Sequence, residues 1–172
     1  MLFTLLQIAA LALVALYLGY WRATQHRRKG QSWESLIARL HPDWSARGLS
    51  EHFLWKEGLS TTPEETWARI KGTQGLRAMY HNAGIMQEMA DYAARHCESI
   101  DAELIQTLRT DAAQIRMCAL KTLTQCAMNQ ASESVRMNAF HAASMYTGMT
   151  ARMTQLIQEN AAMALPDFVA AM

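Results

Sequence analysis

The 172 residues of the chain are enough for one modest domain and an appendage, and with 51% of them apolar a packed core is feasible. The net charge is +1, but four of the 16 basic side chains fall at Arg22, Arg27, Arg28 and Lys29, which leaves 12 against all 15 acids, a balance of −3 over the rest. A weakly acidic body is a poor polyanion binder, which excludes nucleic acid as the expected partner. Cys97, Cys118 and Cys126 are an odd number without a C-x-x-C pair, and they read as reduced, buried thiols rather than a disulfide framework.

Residues 1–21, MLFTLLQIAALALVALYLGYW, hold no charged side chain, and Thr4 and Gln7 are the clearly polar ones. A spanning helix needs roughly 20 apolar residues, so the run is long enough. Tyr17, Tyr20 and Trp21 gather at its end, where amphipathic rings suit the headgroup layer, and the basic cluster comes immediately afterwards. A cleavable export signal would carry its positive charge before the apolar run and a small-x-small site after it. Here no Lys or Arg precedes the run, and bulky residues with Arg come after it. A core helix would show a polar side, and this run is apolar all round. The expectation is a permanent anchor at 1–21 with a basic juxtamembrane stretch at 22–30. The bias of basic residues toward the cytoplasm then sets the N-terminus outward and residues 22–172 on the cytoplasmic side of the inner membrane. Ala12, Ala15 and Gly19 would let a second such helix approach closely.

All five tryptophans fall at Trp21, Trp33, Trp44, Trp55 and Trp67, spaced 12, 11, 11 and 12 apart. One continuous helix would align them on a face, but Pro42, Gly48, Gly58 and Pro63 interrupt it, and nothing else repeats at that period. Residues 31–72 read instead as short helices. Ser32 can cap one in which Trp33, Leu36, Ile37 and Leu40 share a face, ended by His41, Pro42 and Asp43. Leu49, Phe53 and Leu54 suggest another short turn after Ser50. TTPEETW is a helix start, with Thr62 as N-cap, Pro63 first and Glu65 third, and Glu65 and Arg69 spaced to pair. The segment either lies on the bilayer through its tryptophans or packs on the long helices C-terminal to it. Arg39, Arg47, Lys56 and Arg69 stand against six acids over residues 31–70, unlike the basic polar face of a surface-bound helix, so packing is expected.

Residues 73–165 read as a bundle of three long helices. In the first, Arg77, His81, Glu88, Asp91 and Arg95 form one stripe, and Leu76, Met79, Ala83, Ile85, Met86, Met89, Ala90 and Ala93 fill most of the remaining circumference. Such a helix is central, and Asn82, inside the apolar arc, requires a hydrogen-bond partner. Ser99 reads as the next N-cap. Leu104, Ile105, Leu108, Ala112, Ile115, Ala119, Leu123 and Cys126 then form a narrower stripe, and Asn129 and Ser132 mark a break. The last helix carries Val135, Ala139, Ala142, Met145, Tyr146, Met149, Met153, Leu156 and Ile157 on one side and stops at Pro166, leaving 166–172 as a tail. Short connections imply antiparallel neighbours, with alanines allowing close approach and methionines filling gaps.

Chemistry is harder to find. His81, Glu88, Asp91, His96 and Cys97 share one helix, but no Glu-x-x-His or His-x-x-x-His occurs, so no metal pair or zinc clip is encoded. Glu88, Asp91 and Arg95 have the spacing of a solvated, ion-paired face. His141 could ligate a haem across to His81 or His96, although no C-x-x-C-H attachment accompanies it. No cofactor and no metal are expected. Met117, Met128, Met137 and Phe140 project away from the main stripes and are candidates for a partner surface.

The expectation is an all-α chain: a single N-terminal transmembrane helix, then a cytoplasmic antiparallel bundle of three long helices with short accessory helices. The function that fits is a membrane-anchored, non-enzymatic scaffold, adaptor or accessory subunit, whose partners are the bilayer and another protein or itself. The alternatives are a haem- or metal-binding bundle using His81, His96 or His141, and an anchor that self-associates through Ala12, Ala15 and Gly19.

Overall fold

The computed structural model describes residues 32–41, 62–97, 100–128 and 133–159. They form helices α1 (Trp33–Ile37), α2 (Pro63–Arg69), α3 (Thr73–His96), α4 (Ala102–Ala127) and α5 (Glu133–Glu159), with no strand among the described residues.

Local chemistry sets the helix ends. Thr62 accepts from the Glu65 amide through its hydroxyl, and the Glu65 carboxylate accepts from the Thr62 amide, both at 3.3 Å, with Pro63 at the first position. The Glu65 carboxylate is thus engaged in the capping box expected from the sequence. After α2 the chain reverses through two residues in the left-handed region, Lys71 (φ 55°) and Gly72 (φ 60°). Gly75 then lets the first turn of α3 press on that reversal, since a Cβ there would lie 2.1 Å from the Ile70 carbonyl oxygen. The KGTQG stretch is therefore a tight helix–helix corner. The N-cap of α4 is Asp101, whose carboxylate accepts from the Glu103 amide at 2.8 Å. Ser99, the cap expected from the sequence, lies outside the described residues.

The long helices are antiparallel, as their cross-links show. Between α3 and α4, Asp91 meets Arg109 while Tyr80 meets Arg116. Between α4 and α5, Gln125 meets Asn138 while Asp111 meets Arg152. In both pairs the partner number falls as the helix number rises. Arg136 of α5 reaches Glu64 of α2 at 3.3 Å, seating the short helix on the third long one. The core between them is built from small and flexible side chains: Ala83, Ala90, Ala93, Ala112, Ala119, Ala139, Ala142 and Ala143 are fully buried, as are Met79, Met86, Met89, Met149 and Met153. Alanine lets helix backbones come close, and unbranched methionine adapts to the gaps that remain.

α1 runs along α3 in the opposite sense. Trp33 packs on Tyr92 with ring centroids 5.9 Å apart, Arg39 pairs with Glu88 at 2.7 Å, and His41 reaches Asn82. Trp33, Leu36, Ile37 and Leu40 are all buried, as their spacing predicts. Trp33 and Trp67 both pack against the core, while Trp21, Trp44 and Trp55 lie outside the described residues. Asn82 is fully buried and finds the partners it requires. Its Oδ1 accepts from the His41 amide at 2.9 Å, and its Nδ2 donates to the His41 carbonyl and to the Tyr146 hydroxyl, both at 3.0 Å. One carboxamide therefore joins the α1 segment, α3 and α5.

Three expectations need correction. Glu88, Asp91 and Arg95 do not form one solvated, locally paired face, because Glu88 and Asp91 are engaged by arginines of other elements. On α4 the inward line ends at Thr122, fully buried, instead of Leu123 and Cys126, which are half-buried. Thr122 lies seven residues beyond Ile115 on the same line, and its hydroxyl donates to the Cys118 carbonyl at 2.7 Å, which removes the cost of burying it. The cysteines are free but only half-buried, since Cys97 ends α3 and Cys118 and Cys126 flank the α4 core line. Among the described residues no helix is long and apolar enough to cross a membrane. The anchor expected at 1–21 and its basic flank lie outside the described residues.

Asn82→Ala should cost about 2–4 kcal/mol in urea unfolding, because it strands the buried groups it serves. Tyr146→Phe should cost about 1 kcal/mol, and the double variant less than the sum of the two. Gly75→Ala should destabilise by about 1–3 kcal/mol through the clash with Ile70, the opposite sign from the gain of about 1 kcal/mol that alanine brings to an open helix.

Candidate functional site

Helix α4 carries two faces with different fates. Ile105, Leu108, Ala112, Ile115 and Ala119 enter the core. On the opposite side Met117 is 74% exposed, Leu120 55% and Met128 65%, and Met137 near the start of α5 is 40% exposed. These are the large apolar residues that the described part of the bundle leaves in water. Isolated apolar residues on a surface need no explanation, but two adjacent turns of one helix carrying Met and Leu form a patch.

Beside this patch lies an open cleft of about 490 Å³, lined by Thr110, Ala113, Gln114, Met117, Cys118 and, from α5, Met145. Its walls are methyl, methylene and sulfur groups with amide and hydroxyl neighbours. Thioethers and alkyl groups of this kind accept an apolar side chain without demanding one shape. The hydroxyls are already satisfied: Thr110 donates to the Gln106 carbonyl and Thr124 to the Leu120 carbonyl, each at 2.9 Å. Both threonines therefore offer their methyl groups outward at no hydrogen-bonding cost.

Of the four partner-surface residues expected from the sequence, Met117, Met128 and Met137 are exposed. Phe140 is half-buried and meets His141 edge-on, with centroids 6.1 Å apart, so it is not part of the open surface. Leu120 is the member that sequence reasoning missed. Its signal was its spacing of three from Met117, which sets both on the same side of the helix.

The three histidines considered as ligands are exposed on α3 and α5. His81 Nε2 donates to the Arg39 carbonyl at 3.3 Å, and its ring lies 4.6 Å from that of His41. His96 Nδ1 donates to the Tyr92 carbonyl at 2.9 Å while its ring stacks on Tyr92 at 4.0 Å. His141 has Phe140 beside it. Among the described residues no three His, Cys, Asp or Glu side chains are grouped as a metal site. A second cleft, about 480 Å³, sits at the α3–α4 corner against Arg95, His96, Cys97 and Arg109, and Arg109 there is neutralised by Asp91 at 2.7 Å. Arg116 lies over the Tyr80 ring, 4.8 Å from its centroid, and donates to the Tyr80 hydroxyl at 3.1 Å. That contact turns the guanidinium toward α3.

Met117→Glu should leave the unfolding free energy within about 0.5 kcal/mol of the parent and the helical circular dichroism unchanged, as for a surface position without fold-holding contacts. Compared with protein-family models, with curated proteins and with solved structures, the chain matches none of them.

Proposed function

We propose that the protein is a membrane-anchored, non-enzymatic scaffold, adaptor or accessory subunit that engages another protein through the outward face of α4. One observation carries this reading. α4 is apolar on two opposite sides, and the side turned away from the core presents Met117, Leu120 and Met128 to water next to an open cleft. A helix that had only to hold the bundle together would be polar there. The apolar run at 1–21, with Trp21 and the basic residues Arg22, Arg27, Arg28 and Lys29 after it, supplies the membrane half of the reading and points the bundle to the cytoplasm.

Affinity purification from native membranes tests the partner half. The wild-type chain should recover a defined partner that the Met117→Glu and Leu120→Glu variants lose while keeping their fold. Recovery of the same proteins by wild type and variants would refute the α4 surface, and turnover of a small molecule by the purified chain would refute the non-enzymatic reading. Reporter fusions test the membrane half: moving Arg22, Arg27, Arg28 and Lys29 ahead of Leu2 should reverse the orientation of the bundle, and an unchanged orientation would refute the anchor.

A further inference from the structure

The outward side of α4 holds more order than a patch. Gln106, Thr110, Ala113, Met117, Leu120, Thr124 and Ala127 succeed one another at alternating steps of four and three, and every one of them is exposed. That is the 3.5-residue period of a coiled-coil seam, running opposite the core line and spanning about 32 Å at 1.5 Å per residue. None of the seven is charged. Both threonine hydroxyls on it are satisfied within the helix, at 2.9 Å.

We infer that this seam docks antiparallel on the same seam of a second copy of the chain. The inference rests on reading the outward α4 face as a docking surface, and it names the occupant. The choice comes from the side chains that flank the seam. On one flank stand Thr107, Gln114, Lys121 and Met128, and on the other Arg109, Arg116 and Leu123. In a parallel, in-register pair, flanking positions of opposite sides meet, so Arg116 would face Lys121 of the second copy twice over, a like-charge contact. In an antiparallel pair centred between Cys118 and Ala119, like flanks meet. Lys121 then faces Gln114 of the second copy, Arg116 faces Leu123, and Met128 faces Thr107. No two like charges oppose one another.

The seam itself closes in the same arrangement. Met117 of each copy packs on Leu120 of the other, so the two most apolar exposed residues of the seam form its centre. Ala113 meets Thr124 and Thr110 meets Ala127 on either side, so the ends are small and methyl-lined. Arg116, drawn onto Tyr80, and Arg109, paired with Asp91 at 2.7 Å, are both held on the bundle's own surface. A two-fold interface of this kind is self-complementary and closed, so it stops at the dimer.

The test uses the full-length chain in mild detergent, with its native cysteines replaced by alanine. Mixed copies carrying Thr110→Cys and Ala127→Cys should form a disulfide-linked dimer. Thr110→Cys alone should not, because its two copies would lie about 25 Å apart at 1.5 Å per residue, far beyond disulfide reach. Sedimentation of the native-cysteine chain gives a second reading: wild type should be dimeric, and the Met117→Glu, Leu120→Glu double variant monomeric with its helicity intact. Linking of Thr110→Cys to itself would overturn the inference in favour of a parallel pair. A dimer that survives the double substitution would overturn it by locating association elsewhere. A monomeric wild type that still loses a membrane partner on Met117→Glu would sink the dimer and leave the proposed function standing. A seam-dependent dimer that recovers no other protein would do the reverse.

Discussion

Everything that sets the short N-terminal helix against the bundle passes through one buried carboxamide. Trp33, Leu36, Ile37 and Leu40 supply apolar area, but hydrophobic contact has no direction and does not by itself fix where a five-residue helix stops along its neighbour. Asn82 does. It accepts from the amide and donates to the carbonyl of the same residue, His41, and its remaining N–H reaches Tyr146. Only one orientation of the amide meets these partners, since the reverse would set N–H against N–H and oxygen against oxygen. With that contact made, Arg39 falls opposite Glu88 and His41 beside His81. A buried polar group with its bonding complete gives a position where apolar packing gives only adherence.

The fold was legible where its cause was local. The three long helices show in the period of their apolar residues, and the start of α2 shows because a capping box lies within four residues of sequence. What escaped was set by register between helices. Glu88 and Asp91 read as a solvated stripe because spacing along one helix says nothing about an arginine arriving from another. Thr122 read as polar surface because its hydroxyl can disappear into the helix only once the backbone is in place. The four cross-links that involve arginine, at Arg39, Arg109, Arg136 and Arg152, each join different elements. With their guanidinium groups partly in water they add little stability, and their use is to favour one neighbour over another.

The candidate surface was half legible. Met117, Met128 and Met137 could be picked out as methionines off the main lines. Leu120 was passed over because each helix was read for a single apolar stripe, and a second stripe on the opposite side becomes visible only when the first is subtracted. Phe140 failed for the converse reason: a ring is large enough to lie down over its neighbour His141, whatever direction its Cα–Cβ bond takes. The anchor reading stands on residues 1–30 alone, where a length criterion and a charge criterion agree.

The inward-turned hydroxyls of Thr110 and Thr124 have a consequence beyond neatness. Each keeps the same acceptor whether the face is wet or covered. Water can leave that side of α4 and return without any protein group changing partner there, so neither state holds a trapped donor. A face built this way tolerates solitude and company equally well. It separates the solubility of the lone chain from the strength of its association, because only methyl, methylene and thioether area, and no stranded polarity, distinguishes the two.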